Sequence, residues 1–370
     1  MKIGVLTSSR ADFGIYFPLL RALKVEAFFE VEIIVFGTHM SYYHGHTIDD
    51  IIAQGFEATH KLETMLLTDS ASSLSSAIGL TFIKFGDFWS RYSNYFDLVF
   101  CLGDRYEMYA AVMAGVPFQI PFAHIHGGET TLGAIDNIFR HGITLASKYH
   151  FVSTESYAKR VGELIQTDQN IYYVGALSLD NISQIKKLTV AEFKDKWGID
   201  LDRPTVLTTF HPETVNFNSN EVYTDELIKA INNLNTYQFL ITMPNADTMG
   251  TLVRQKLINE FKGSSRVFLI ENLGAVSYFT AMSYCAFLLG NTSSGIIEAA
   301  SFGKYVINLG ERQLGRAADR NVFTVKIDSK LIIEAVNKIE NAMPYTSQSI
   351  YYNGGAATKI INVLKGYLKQ

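Results

Sequence analysis

The chain has 370 residues, nearly half of them apolar, and a formal net charge of −4. That length is enough for two domains of ordinary size with sizeable buried cores. The mild acidity argues against nucleic acid as the main partner, because phosphate backbones are met by a basic face. A strand-like run begins directly after Met1, with no charged segment leading into an apolar one, so no signal peptide is read. No apolar run reaches the ~20 residues of a membrane span. Cys101 and Cys285 lie in separate apolar runs. That pattern points to buried thiols in a reduced cytoplasm and not to a disulfide framework.

Taken in order, the first half predicts strands over 2–7, 31–36, 98–102, 118–125, 150–153 and 171–174. Helices are predicted over 15–24, 47–54, 72–92, 106–113, 137–146 and 156–164. In the longest of these Leu74, Ile78, Phe82, Phe85 and Trp89 recur at helical spacing. Short apolar strands alternating with helices indicate an α/β fold with a parallel, doubly wound sheet. A polar stretch over 175–187 follows, and then the rhythm restarts. Strands are predicted over 205–210, 239–243, 267–270, 287–289 and 305–309. Helices are predicted over 225–233, 248–261, 275–283 and 296–302. The spans are therefore 1–176 for the first domain and 177–352 for the second. Residues 353–370 form a terminal helix that could pack back on the first. The run Leu98 to Asp104 weakly echoes Cys285 to Asn291: each is an apolar strand leaving through Gly and a polar residue.

The chemistry concentrates at strand exits, where open α/β sheets bind ligands. The strand over 118–125 ends in His126-Gly127-Gly128-Glu129. The two glycines allow positive φ or a close approach to a ligand. On that expectation, valine at position 128 damages turnover more than folding. Asp104, Glu129 and Asp136 all fall at or just after strand ends, and neighbouring carboxylates can work as acid and base. Asp104 and Asp136 also suit helix capping. Glu129 has no obvious capping role and is the firmest catalytic candidate. A second constellation is Gly290-Asn291-Thr292-Ser293-Ser294-Gly295. Its amides and hydroxyls suit phosphate oxygens at a helix start, although a plain cap would look similar. Glu298, one turn further on, could accept hydrogen bonds from a ribose. Arg10, in the polar turn after the first strand, is a phosphate clamp candidate or a surface partner of Asp12. Arg312 carries the same ambiguity. His211 before Pro212 is either a phosphate donor or a solvated loop residue.

Metals and redox cofactors are less favoured. His124 and His126 alternate on a strand and should point to opposite faces. His44 and His46 share a polar loop, and Asp104 and Glu129 with the histidines form a weaker metal candidate. No Gly-x-Gly, no Walker-type phosphate loop and no Tyr with Lys four residues later occurs. The expectation is no cofactor and no metal.

Several ordered motifs together resemble a known family. They are SRADFGIYFPLLRAL, GTHMS, GDRYEM, HIHGGETTLGAIDNIFRH, FHPET, PNAD, GNTSSGIIEAASFG and INLGERQLGR. Spanning nearly the whole chain, they resemble the hydrolysing UDP-N-acetylglucosamine 2-epimerases of sialic-acid-type pathways. The resemblance implies two Rossmann-like domains facing across a cleft in the glycosyltransferase-B arrangement. It implies elimination of UDP to a 2-acetamidoglycal, then addition of water to give N-acetylmannosamine. It also implies a homodimer or homotetramer with a UDP-sugar substrate and with neither nucleic acid nor membrane as a partner. By position, Asp104, Glu129 and Asp136 would be the acid/base carboxylates. Arg10, His211, Thr292 and Ser293 would hold the diphosphate, and Glu298 the ribose. Asn245, Leu273 and Arg312 would lie in or beside the nucleotide pocket, and Asp12 and Arg105 count among the UDP-binding residues. Thr292 stands where relatives often have serine, which keeps the hydroxyl. Phe13 stands where they often have tyrosine, which removes a phenol. Close relatives act on UDP-2,4-diacetamido-2,4,6-trideoxyglucose, and no motif separates the two sugars. A glycosyltransferase of the same fold, a non-catalytic nucleotide-sugar binder and a metal-dependent hydrolase are the further alternatives. The aromatic-rich helix over 72–92 is the candidate subunit interface.

Overall fold

The computed structural model of the chain describes residues 1–66, 70–213, 217–244 and 250–366. Its first sheet has seven parallel strands: β1 (Lys2–Thr7), β2 (Glu30–Val35), β3 (His60–Lys61), β4 (Leu98–Leu102), β5 (Phe122–Ile125), β6 (Tyr149–Val152) and β7 (Ile171–Tyr173). They lie in the order β3-β2-β1-β4-β5-β6-β7. The inner strands are buried along nearly their whole length, as sheets covered by helices on both faces require. Alternate residues feed two cores. Ile3 and Val5 face a core with Leu19, Leu20 and Phe100, whereas Leu6 and Val99 face one with Phe85, Trp89 and Phe122. The helix Ala71–Tyr92 supplies the aromatic side of that second core, and Trp89 Nε1 donates to the Ala111 carbonyl at 2.9 Å.

The second sheet has six parallel strands: β8 (Thr205–Thr209), β9 (Gln238–Thr242), β10 (Val267–Ile270), β11 (Phe287–Gly290), β12 (Val306–Leu309) and β13 (Val322–Val325), in the order β10-β9-β8-β11-β12-β13. Both orders run outward from the first strand of the sheet in two directions, the dinucleotide-fold arrangement. Strands β4 and β11, the two that echo each other in sequence, hold corresponding places next to β1 and β8. Edge strand β13 and the helix Ser329–Glu340 are not anticipated from the pattern. Val322–Val325 has no fully buried position, so it lacks the apolar run of an inner strand. The helix expected over 296–302 is instead a five-residue helix, Ser293–Ile297, and a 3-10 turn, Ala299–Phe302. The helix expected over 248–261 is described as Gly250–Phe261.

The chain divides into two compact units. One comprises Met1–Glu129, Asp136–Ser183 and the segment from Tyr351, and the other Thr130–Ile135 and Gln184–Ile350. The division falls after Ser183, where the sequence suggests residue 176. Side chains of the helix Ser178–Gln184 explain the difference. Asn181 Nδ2 donates to the Gly14 carbonyl at 2.8 Å. The Asp180 carboxylate accepts from the Ala356 and Ala357 amides at 3.0 and 2.7 Å, at the start of the terminal helix Ala356–Gly366. That helix buries Ile360, Ile361 and Leu364 in the first unit's core. Both cysteines are buried and free. Among the described residues no helix is long and apolar enough to cross a membrane.

Candidate active site

In the first unit the order of strands reverses at β1 and β4, so the loops leaving these two strands define a ligand-binding crevice in such sheets. The loop after β1 is compact. Ser9 caps the helix Arg10–Lys24 in a capping box with Asp12. Buried Asp12 Oδ2 accepts from the Ser8 amide at 2.9 Å, the Ser8 hydroxyl at 2.6 Å and the Ser9 amide at 3.1 Å. Its carboxylate therefore builds the turn, which corrects the reading of Asp12 as a surface partner of Arg10. The Ser-x-x-Asp pattern that announces this box is readable in the sequence. Arg10 is the exposed first residue of the helix. After β4, Gly103 turns the chain and Asp104 leads to Arg105, which caps the helix Tyr106–Gly115 by its backbone alone. So Asp104 is not the N-cap. Arg105 pairs with fully buried Glu107 at 2.8 Å. Burial opposes its charge, but Glu107 and Asp12 outweigh burial and hold it well above the usual arginine range. Arg105 thus ties the two loops together electrostatically.

The loop after β5 holds the densest polar cluster. His124, on the strand, is buried, and its Nε2–H donates to the Gly103 carbonyl at 2.9 Å. Burial pushes its pKa down to about 3, so the ring is neutral. His126 follows the strand in a left-handed conformation, φ +66°, and is not part of a regular alternation with His124. Its Nδ1 lies 2.7 Å from Glu129 Oε1, which also accepts from the Ser153 hydroxyl at 2.9 Å. Glu129 is 1% exposed and His126 6%.

Arg140, buried in the helix Asp136–Ala146, joins the rest of this cluster. One guanidinium nitrogen meets Asp104 Oδ2; the other lies 3.0 Å from the His126 carbonyl and 3.4 Å from Glu129 Oε2. Asp104 and Glu129, well apart in sequence, are thereby brought to one side chain. Asp136 begins the same helix one turn before Arg140 and is half-buried. Sequence reasoning passed over Arg140. The available signal was its spacing of four from Asp136, which puts both on one helical face.

The glycine pair has an internal explanation. At Gly128, φ is +78°, and a Cβ would sit 2.7 Å from the Tyr157 carbonyl oxygen. At Gly127 it would sit 2.9 Å from His124 Nδ1. The glycines let the loop pack against the helix Glu155–Ile165 and the buried histidine. Valine at 128 is therefore a folding lesion, contrary to the sequence expectation, because the clash is with backbone.

In the second unit the order reverses at β8 and β11. The loops there are joined by an amide: Asn291 Oδ1 accepts from the His211 amide at 2.7 Å, and its Nδ2 donates to the His211 carbonyl at 2.8 Å. Gln313 Nε2 donates to the Asn291 carbonyl at 2.8 Å. Arg312 donates to the Pro212 carbonyl at 2.6 Å. Thr292 caps the short helix through the Ser294 amide, and the Ser294 hydroxyl bonds Glu298. Ser293 is the first residue of that helix and half-exposed, and Leu273 is a buried N-cap residue. Burial raises the hydroxyl pKa of Tyr278, a residue unremarked in the sequence, against the opposing influence of Ser294 and Thr209. With only five residues, the helix offers less of the dipole that the phosphate argument invoked. Asn245 and the side chain of His44 lie outside the described residues. His46 pairs with Asp49 at 3.0 Å. Among the described residues no group of three or more His, Cys, Asp and Glu is arranged to hold a metal ion.

Known proteins match this chain along its length. The family model described as UDP-N-acetylglucosamine 2-epimerase matches residues 21–365. The chain is 32% identical to the polysialic acid biosynthesis protein P7 of Escherichia coli, with all of this chain and 94% of that one covered. It is 33% identical to the UDP-N,N'-diacetylbacillosamine 2-epimerase (hydrolyzing) of Legionella pneumophila, with 98% and 95% covered. The crystal structure of UDP-GlcNAc 2-epimerase from Neisseria meningitidis bound to UDP-GlcNAc superposes with a TM-score of 0.82 at 18% identity, covering 99% of this chain and 100% of that one, so the fold is shared. With its two parallel sheets and a match over nearly every element, the chain belongs to the UDP-N-acetylglucosamine 2-epimerase family.

Proposed function

We propose that the chain is a hydrolysing epimerase that converts UDP-N-acetylglucosamine and water to N-acetylmannosamine and UDP. The observation that carries this reading is the cluster of buried His126, Glu129 and Arg140 with half-buried Asp104 at the strand exits of the first sheet. The C2 proton of a 2-acetamido sugar is not next to a carbonyl, so simple deprotonation is hard. Expelling the nucleotide makes C2 planar without any redox step. The C2–H pair becomes the C1–C2 double bond, and the C1–O pair leaves on the diphosphate. Water then adds at C1 and a proton returns to the opposite face of C2. Acid/base work falls to Asp104, Glu129 and Asp136 with their neighbours. His211, Thr292 and Ser293 take the diphosphate of the departing group, with Arg10 as a further cation. Glu298 takes the ribose, with Asn245, Leu273 and Arg312 about the nucleotide. Asp12 and Arg105 act by shaping the loop of Arg10.

A second reading keeps the reaction and changes the sugar to UDP-2,4-diacetamido-2,4,6-trideoxyglucose. It is favoured by the 33% identity to the Legionella enzyme named for UDP-N,N'-diacetylbacillosamine, whose sugar is a 2,4-diacetamido-2,4,6-trideoxyglucose, beside 32% to the polysialic acid protein. Turnover in deuterated water with both UDP-sugars side by side tests both readings. The expected result is UDP release with deuterium at C2 of the free sugar, fastest with the true substrate. Sugar released without deuterium at C2 rejects the elimination route. Transfer to an acceptor sugar favours a glycosyltransferase instead. The chain is further expected to work in the cytoplasm as a homodimer or homotetramer, which sedimentation can measure.

A further inference from the structure

The geometry around Glu129 suits an orienting group better than one that touches substrate. Oε1 accepts two hydrogen bonds, from His126 and Ser153, and Oε2 faces the Arg140 guanidinium. A carboxylate oxygen that accepts from Ser153 accepts from His126 as well, so Nδ1 carries the hydrogen of that contact and Nε2 is the ring's other nitrogen. That Nε2 is buried and meets no hydrogen-bonding group among the described residues. Position 126 is left-handed, φ +66°, a region that few residues other than glycine occupy and that histidine enters more often than most. Packing does not account for a histidine there, since a buried, unsatisfied ring nitrogen is costly. Nucleophile–base–orienter constellations have this form: one ring nitrogen held by a carboxylate, the other presented to the reacting atom.

Resting on the reading of the chain as a hydrolysing epimerase, we propose that His126 Nε2, not a carboxylate, takes the C2 proton in the elimination step, with Glu129 as its positioning residue. The C2–H bond breaks and an Nε2–H bond forms. The released pair makes the C1–C2 double bond, and the C1–O pair departs with UDP. The imidazolium is stabilised by Glu129 through Nδ1–H and gives its proton to solvent before the next turnover. Water addition to the glycal does not use this group as base. Protonation of the opposite face of C2 falls to Asp104 or Asp136.

The test separates the two steps. A wild-type enzyme that neither releases UDP nor labels C2 with either sugar rejects the epimerase reading itself, whereas the variants speak to His126 alone. His126→Asn suits the left-handed backbone and should cut UDP release by about 10²–10⁴-fold, with hydration of supplied 2-acetamidoglycal within about threefold of wild type. Glu129→Gln should lower kcat with little change in KM. The double variant His126→Asn/Glu129→Gln should be no slower than His126→Asn, because groups that act as a unit are not additive. UDP release by His126→Asn within about tenfold of wild type overturns the proposal, as does a double loss equal to the product of the single losses. Equal losses of UDP release and glycal hydration overturn the assignment to elimination. If His126→Asn does not fold, His126→Gly replaces it on a backbone that glycine accepts, and wild-type-like release there has the same force.

Discussion

The two units solve the same topological problem with different chemistry. Each has a strand order that reverses at its centre and a pair of loops leaving that point. In the first unit the loops are fastened by charge: Arg140 to Asp104 and Glu129, Arg105 to Glu107, and Asp12 to the amides of Ser8 and Ser9. In the second they are fastened chiefly by neutral amides, with Asn291 bridging β8 to β11 and Gln313 bonding Asn291. A buried charge cluster fails badly when one member is removed, because the rest is left uncompensated. A neutral amide lattice loses less per bond. Under the proposed reaction, the first arrangement would serve proton transfer, and the Thr292 and Ser293 hydroxyls of the second would serve the diphosphate.

The sharpest way to break the contrast is Arg140→Met. It leaves Asp104 and Glu129 facing one another without their shared cation. Stability of the first unit should fall by about 3–5 kcal/mol in urea titration, and UDP release should fall by roughly 10³-fold. Arg140→Lys should recover stability better than rate, because a single ammonium cannot reproduce the fork. A rate for Arg140→Met within a few-fold of wild type would reduce the cluster to a structural role.

Acid should act next, and on the first unit selectively. Burial holds His39, His124 and His150 neutral, with pKa values down to about 4, 3 and 4 from an ordinary 6.5. Between those values and 6.5 the unfolded chain binds more protons than the folded one. Stability is therefore full above pH 6.5 and falls as pH drops toward 4, by on the order of 3 kcal/mol per histidine. The second unit has a single histidine, His211. Trp89 and Trp197 report on the two units separately, so Trp197→Phe isolates the first unit's fluorescence and Trp89→Phe the second's. Melting curves from pH 7 to 4 should show the Trp89 transition moving first. Parallel shifts of both transitions would refute the selectivity.

Asn291→Ala should have the smallest effect of the three. It removes both bonds to the His211 backbone and should cost about 2 kcal/mol in the Trp197 transition. The Trp89 transition should stay in place, and weaker UDP binding should accompany the change. A loss larger than that of Arg140→Met would reverse the ranking of the two fastenings.

Much of the fold is legible in the chain. Alternating apolar runs and amphipathic segments place most inner strands within a residue or two, since a strand buried on both faces has no polar alternative; β5 starts at Phe122 and not at 118, because Val116–Phe118 closes into a 3-10 turn. Edge strands β3 and β13 escape because two residues, one half-buried and one exposed, or four with no fully buried position, carry no such signature. The site is partly legible. Polar residues at strand exits, His126 to Glu129 and Asn291 to Ser293, stand out against the apolar runs that precede them. Their partners do not: Arg140 reads as one more residue of a predicted helix, and Ser153 as the end of a predicted strand.

Periodicity and composition, which are local, determined the two sheets, and the ordered motifs at the strand exits carried the resemblance to the family. What only the tertiary structure decided was allegiance among side chains remote in sequence. Asp104 and Glu129 meet because Arg140 lies between them, and Asp180 belongs to the terminal helix whose amides it caps. Gly128 answers to the Tyr157 carbonyl, which a Cβ there would strike. Such pairings depend on distance through space, and a buried charge or a missing Cβ takes its meaning from whatever the fold places beside it.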